Sequence, residues 1–291
     1  MTQGVFARID RDVVVAAGPD ATSFLQSLVS QDLDPVDVGQ SAHALLLEPK
    51  GKLVVDMRAA HVADDEWWLV CEAGFGPVLE QGLNRFKIRV KVELEDRSAA
   101  LTAIAVRSFA ADVPIGMVSV RNDWPDAPGV EIVGERSAID ELAANLAQAD
   151  VAELDADAYE ALRVEAGSPR QGYDIDESTI AQEAFLERDA VSFTKGCFLG
   201  QELVCRIDSR GNVTRLLRRL RSDAPLARGA EVVADGKGVG TVTSVAGNVA
   251  LATIRRVIEP GTDVVVRIPA GDVTARIEAV AAGTSSETVA P

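Results

Sequence analysis

Apolar residues recur along this chain with two different periods, and the change of period marks its elements. Residues 5–17 alternate weakly around charged Asp10, Arg11 and Asp12, which predicts a hairpin or two short strands. Asp20 then stands where a helix N-cap belongs. Phe24, Leu25, Leu28 and Val29 follow at helical spacing and predict a helix to about Gln31, with these four in the core. Residues 44–47, 53–61 and 67–70 read as three strands, separated by the turns Pro49-Lys50-Gly51-Lys52 and Ala63-Asp64-Asp65-Glu66. Such a meander predicts an antiparallel sheet. Asp56 interrupts the apolar run of the middle strand beside Val54, Val55 and Met57. From spacing alone it faces either water or a cleft.

Residues 77–87 predict an amphipathic helix with Val78, Leu79, Leu83 and Phe86 on one face. Strands follow at 90–94, 101–106 and 117–120, then an irregular loop at 121–129 and a strand at 130–133 that bears Glu131. Ser137 and Asp140 read as a capping box opening a helix through Ile139, Leu142 and Leu146. Asp157 reads as the cap of a helix that Gly167 ends. Residues 168–191 are acidic and aperiodic, and a loop that long is usually functional or extended across a surface. From Val213 onward, β-branched runs at 232–233, 239–245, 249–254, 264–268 and 273–280 are punctuated by glycines and predict a small β-barrel or sandwich. Gly236 to Gly240 lies between two of these runs and reads as a hairpin turn rather than a phosphate loop. Residues 283–291 read as a polar tail. The order of helices and strands predicts an α+β fold with a ferredoxin-like layer, not a doubly wound parallel sheet.

Composition narrows the function classes. A chain of 291 residues with 47 % apolar and 25 % charged positions is globular and long enough for two or three domains. A net charge of −16 argues against general binding to nucleic acid and against adsorption to an anionic membrane. No apolar run approaches the ~18–20 residues of a membrane span, and residues 1–10 lack the apolar stretch of a signal peptide. Three cysteines make no disulfide framework, which suggests a reducing, cytoplasmic setting.

The densest chemistry lies in Lys195-Gly196-Cys197-Phe198-Leu199-Gly200-Gln201-Glu202-Leu203-Val204-Cys205-Arg206. This mixture reads as a loop: glycines permit sharp turns and close approach, and a cation beside Cys197 favours thiolate. Cys197 is either a functional thiol or a small buried hydrophobe. With only His43 and His61 in the chain, a hydrolytic triad lacks a base and zinc lacks ligands, so no metal site is expected. Arg206, Arg210, Arg215, Arg218, Arg219 and Arg221, against only Asp208, form either strands paired with acidic neighbours or a site for a small anion.

The run from Lys195 to Glu202 resembles the K-G-C-aromatic-x-G-Q-E signature of the YgfZ family of folate-binding proteins, relatives of the glycine cleavage system T-protein (aminomethyltransferase). Gly18-Pro19-Asp20-Ala21, Pro49-Lys50-Gly51-Lys52 and Arg163-Val164-Glu165-Ala166-Gly167 with Pro169-Arg170 extend the similarity over most of the chain. The resemblance implies two interleaved α+β subdomains within residues 1–212, the second at roughly 52–150, and a C-terminal β-barrel over 213–291. It implies a tetrahydrofolate cofactor at their centre, held by Asp56 and Glu131, with Arg206 and its neighbours on the glutamate tail. It makes Lys195, Gly196, Cys197, Gly200, Gln201 and Glu202 the signature motif, with Cys197 as a functional thiol. The implied role is support of iron–sulfur cluster assembly or repair, with client or assembly proteins as partners. The alternative is a folate-dependent aminomethyl transferase with Asp56 catalytic. The T-protein carries two consecutive aspartates where this chain has Val55-Asp56, and Ala181 replaces the family's usual proline.

Overall fold

The computed structural model describes residues 4–211 and 213–280, and for Arg210 only the backbone. The tail expected at 283–291 lies outside the described residues. Strand β1 (Val5–Ile9) runs straight into β2 (Arg11–Ala17), but the two join different sheets instead of forming a hairpin. β2 belongs with α1 (Ala21–Leu28), β3 (Ser41–Leu47), β4 (Leu53–Ala63), β5 (Glu66–Glu72), α2 (Gly76–Asn84) and β6 (Glu93–Asp96). Their sheet has the order β3-β4-β5-β2-β6 and is antiparallel throughout. β1 belongs with β7 (Leu101–Arg107), β8 (Val118–Arg121), β9 (Gly129–Glu135), α3 (Arg136–Gln148) and β10 (Ala152–Glu153), in the order β10-β1-β7-β9-β8. The chain then passes through α4 (Ala156–Ala166), a 3-10 turn at Ala181–Glu183, α5 (Glu187–Ala190) and α6 (Gln201–Arg210). It ends in a closed six-stranded barrel: β11 (Arg215–Ser222), β12 (Glu231–Ala234), β13 (Lys237–Ala246), β14 (Val249–Arg255), β15 (Asp263–Ile268) and β16 (Gly271–Ala279).

Period-two alternation explains how the sheets stack. On β2, Val14 and Ala16 face α1 and α2, while Val13 and Val15 face the second sheet. On β7, Leu101 and Ala103 meet that first sheet, and Ile104 and Val106 pack under Ile139 and Leu142 of α3. The two sheets are therefore pressed face to face, with helices outside. Beyond the region they share, Ala7 and Ala105 leave the inner face of the second sheet to Tyr159 and Ala166 of α4. A third core, from Leu45, Leu47 and Leu53 through Val164, Ile175 and Phe198 to Leu217 and Leu251, ties both layers to the barrel. Among the described residues no helix is long and apolar enough to cross a membrane.

Several local expectations shift by a turn. Asp20 occupies the N-cap of α1, yet its carboxylate accepts from the Lys91 backbone N–H at 2.7 Å instead of from the helix. The Ser137–Asp140 capping box does not form, because α3 begins at Arg136 and Asp140 pairs with Arg8. Asp155, not Asp157, caps α4 by accepting from the Ala158 N–H at 2.8 Å. Gly167 ends that helix as expected, with φ 75° in the left-handed region. Asp235 and Gly236, both at positive φ, make the expected turn between β12 and β13.

Candidate functional site

Where the two sheets splay around α4, the chain encloses a cavity of about 370 Å3. β4 contributes Asp56. Its neighbours Val55 and Met57 are fully buried under the helices, so the pleat turns Asp56 and Arg58 to the opposite face, into the cavity. The cleft is thus the answer to the open question about Asp56. β9 contributes Glu131, which strand alternation points inward between outward-packed Val130 and Ile132. The loop before β9 contributes Asn122 and Trp124, α4 contributes Tyr159 and Glu160, and the segment after it contributes Arg170 and Tyr173.

A continuous chain of polar contacts crosses the site from one sheet to the other. His43 Nε2 lies 2.5 Å from Asp56 Oδ1, and Arg58 Nη1 lies 3.5 Å from the same oxygen. Arg58 Nη2 donates to Asn122 Oδ1 at 3.1 Å. Asn122 Nδ2 donates to Glu131 Oε1 at 2.6 Å. Arg11, at the start of β2, grips Glu131 with Nε and Nη2, both at 2.8 Å, and Glu72 with Nη1 at 2.8 Å. Gln171 fixes the Asp56 backbone, accepting from its N–H and donating to the Val54 carbonyl, both at 2.8 Å.

These contacts set the charge states. Burial pushes the Glu131 carboxyl up, but the Arg11 fork, Arg107 and Asn122 outweigh it and hold the pKa down to about 2. Burial likewise opposes ionisation of Asp56, and His43, Arg58 and Arg11 reverse the balance, so its pKa is lowered. Burial and the Arg58 cation lower His43, which therefore stands neutral at pH 7 with its Nε2–H directed at the Asp56 carboxylate. Burial raises Glu72 despite Arg11.

Two residues that line the cavity also carry groups without partners. Trp124 Nε1 and Arg170 Nε are buried donors with no hydrogen-bond partner. The indole of Trp124 lies under the Arg107 guanidinium, 3.7 Å from Cζ to the ring centroid, and 5.1 Å from the Tyr159 ring. Asp56 Oδ2 and Glu72 Oε2 accept nothing from the described residues. Aromatic walls, orphaned donors and half-used carboxylates together suit a flat, polar, nitrogen-rich ring, which needs stacking surface, donors and acceptors at once.

The signature stretch sits elsewhere. It is half helix: Gly200 at φ 79° turns the chain into α6, where Val204 and Ile207 are buried at helical spacing. The three-residue step from Val204 to Ile207 carried that signal in the sequence. Lys195 does not aim at the thiol. Its Nζ donates to the carbonyls of Gln26, Val29 and Gln31 at 2.7, 2.9 and 2.7 Å, capping the C-terminal end of α1. Gly200 packs against the Pro49–Lys52 turn, where an added Cβ would stand 2.6 Å from the Glu48 carbonyl oxygen and 3.0 Å from Gly51 Cα. Cys197 is exposed next to Gly196, Cys71 is buried and Cys205 is half-buried. Gln201, Glu202 and exposed Arg206 ride on α6. Asp56 and Glu131 thus line one cavity, whereas Cys197, Arg206 and the rest of the motif lie outside its walls.

Three of the four arginines of β11 are taken up in ion pairs, Arg215 with Glu183, Arg219 with Glu278, and Arg221 with Glu165 and Glu278, while Arg218 is buried without one. The cations at the cavity come from other places. Arg11 carries the same signal as Asp56, a charge inside an apolar alternation, although the alternation around it predicts only a hairpin or two short strands. Trp124, in an irregular loop, and Tyr159, at a core-like helix position, gave no such signal.

Two family models match the chain: the GCVT N-terminal domain over residues 12–112 and the CAF17 C-terminal beta-barrel domain over residues 214–280. An aminomethyltransferase from Herpetosiphon aurantiacus is 27 % identical over 254 residues, covering 78 % of this chain and 70 % of that one. A mitochondrial iron-sulfur cluster assembly factor IBA57 homolog from Mycosarcoma maydis is 27 % identical over 219 residues, covering 70 % of this chain and 54 % of that one. The glycine cleavage system aminomethyltransferase T from Bartonella henselae superposes with a TM-score of 0.82 at 19 % identity, over 96 % of this chain and 86 % of that one. The fold, including the C-terminal barrel, is therefore that of the T-protein.

Proposed function

We propose that the chain is a tetrahydrofolate-binding protein of the YgfZ type that supports iron–sulfur cluster assembly or repair in a reducing, cytoplasmic compartment. The observation that carries the folate reading is the junction cavity, where Trp124 and Tyr159 rings, the orphaned Trp124 and Arg170 donors and the half-used Asp56 carboxylate meet. A pterin offers an amino group, ring N–H groups and a carbonyl on one flat frame, and these match that set of partners. Asp56 Oδ2 would accept from the ring, while Trp124 Nε1 would donate to its carbonyl. Glu131 contributes from behind: three donors already point at its carboxylate, which leaves room for one more. The bound folate would supply an acceptor or donor of a one-carbon unit.

The iron–sulfur part rests on the CAF17-type barrel match and on the similarity to the IBA57 homolog, together with exposed Cys197. An exposed thiol away from the cavity suits a contact with a partner protein or its cluster cargo.

An aminomethyl transferase is the second reading, and Asp56 favours it. The carboxylate is ionised, fixed by His43 and open on one oxygen, as a group that orients an amine must be. Val55, buried on the opposite face of β4, stands where the T-protein pattern has its other aspartate and can take no part.

Calorimetric titration with tetrahydrofolate tests the first reading. Wild type should bind saturably, and Asp56→Asn should bind about tenfold more weakly, as expected for a lost charged acceptor. No heat from a folded wild type would end the folate reading. Turnover of an aminomethyl donor that disappears in Asp56→Asn would favour the transferase instead.

A further inference from the structure

Both faces of α4 look onto open space. Ala156, Tyr159, Glu160 and Arg163, spaced i, i+3, i+4 and i+7, line the cavity described above. Ala158, Ala161, Leu162 and Glu165 repeat that spacing on the opposite side of the helix and line another cavity, of about 580 Å3. Its volume falls within the roughly 300–1,000 Å3 of small-molecule sites. β1 contributes Val5 to its wall, the link before α4 contributes Leu154, and the adjoining ends of β13 and β14 contribute Ala246 and Val249. Ala158 and Ala161 are exposed, and Leu154 and Leu162 are half-buried. An apolar stripe therefore lies open along one helix of an acidic chain.

The same wall holds a polar group that nothing in the chain satisfies. Arg107, at the end of β7, is 1 % exposed and belongs to the lining. Its Nη1 donates to the Asn122 carbonyl and its Nη2 to the Tyr159 hydroxyl at 3.0 Å, but its Nε has no partner. A buried donor left unpaired is unfavourable, and an acceptor atom on a ligand satisfies it. Charge decides which kind of acceptor. The Arg107 cation already faces Glu131 at 3.9 Å. Arg221, also in the lining, is held by Glu165 and Glu278. Asp126 is exposed in the lining and pairs with no cation among the described residues. A ligand carboxylate would meet that unpaired negative charge, whereas a neutral carbonyl meets only the donor.

We propose that this cavity is a second binding site, for a small uncharged molecule with an apolar body and one carbonyl acceptor. The body lies along Ala158, Ala161 and Leu162, and the carbonyl oxygen takes the Arg107 Nε–H. The two cavities share no lining residue, so this site stands whether or not the first one takes a folate.

The test uses three probes of nearly equal shape, 4-phenylbutan-2-one, 3-phenylpropanoate and propylbenzene, titrated into the full chain by ligand-observed NMR. The ketone should bind wild type saturably, with a dissociation constant on the order of 1 mM for so small a ligand. It should bind about tenfold more tightly than propylbenzene, which lacks the acceptor, and more tightly than the carboxylate. Ala161→Trp places an indole in the cavity and should weaken ketone binding by about tenfold or more, and Ala158→Phe serves as a second blocking variant. Both positions are exposed on α4, so the fold should survive, which circular dichroism and melting temperature check. Equal affinity for ketone and propylbenzene overturns the part given to Arg107. Tighter binding of the carboxylate overturns the ligand class. No saturable binding to folded wild type, or ketone binding unchanged in the folded variants, overturns the site. A wild-type dimer in light scattering that either variant dissociates makes this face an interface between copies, and overturns the ligand site too.

Discussion

Arg11 and Glu131 lie 120 positions apart and meet as a two-pronged ion pair, Nε to Oε2 and Nη2 to Oε1, each at 2.8 Å. The pair joins the first strand of one sheet to the central strand pair of the other, with Glu131 only 1 % exposed. Breaking such a pair strands a buried charge, which costs more than the pair itself contributes. Arg11→Met should therefore destabilise the fold by about 3–5 kcal/mol, and Glu131→Leu by a similar amount. The double variant should lose less than the two single losses added. Chemical denaturation of all four proteins reads this cycle, and simple additivity would show that the pair does not couple the sheets.

Acid should weaken the protein in two stages. Glu131 has a folded pKa of about 2, depressed from 4.5, so its contribution is complete above the unfolded value and is lost as pH falls through about 2. His43 is also depressed, from 6.5, and remains neutral in the fold while the unfolded chain takes up a proton. The unfolded state then binds more protons, so stability falls as pH drops below 6.5. Melting temperature measured against pH should decline below 6.5 in wild type and lose that first slope in His43→Gln.

Lys195 is a cap contributed from 164 or more positions away in the chain, donating to three carbonyls at the end of α1. Lys195→Met should leave those carbonyls half-buried without their donor and cost about 2 kcal/mol. Amide hydrogen exchange should show α1 opening first. Wild-type protection of α1 in the variant would mean that water replaces the ammonium without loss.

Gly200→Ala should be among the most damaging single-methyl changes. The backbone is left-handed, and the added carbon would strike the Glu48 carbonyl and the Leu47 side chain. A loss of about 3 kcal/mol in urea unfolding is expected. Gly196→Ala, which meets nothing within 4 Å, serves as the control and should be near neutral.

Cys197→Ser should leave stability within about 0.5 kcal/mol, because the side chain is exposed. In cells, the activity of iron–sulfur enzymes should fall. Unchanged enzyme activity would remove the thiol from the proposed function, while tetrahydrofolate binding in vitro should be the same in either case.

The alternation and spacing of apolar residues determined most of the elements: the meander of β3 to β5, the helices α1 and α2, the Gly167 stop and the glycine-punctuated barrel. Each depends on local periodicity and turn chemistry, which a sequence carries directly. Asp56 was legible as a charged interruption of an apolar strand, since a carboxylate in a half-buried strand needs a partner or a ligand, whereas Glu131 was marked as a site residue only by the family resemblance. Tertiary structure decided which side of its sheet Asp56 faces, because the pleat direction depends on which neighbour is buried under the helices. It split β1 from β2 into separate sheets. It also took Lys195 away from Cys197, because three unpaired carbonyls at a helix end attract an ammonium more strongly than a neighbouring thiol does. Arg215, Arg219 and Arg221 were spent on acids of α4, β16 and the 3-10 turn, and the cavity took cations from Arg11, Arg58 and Arg170. Ion-pair partners lie far apart in the chain, and charge alone does not choose among them; the packing of sheets, α4 and barrel brings each arginine within reach of one acid and not another.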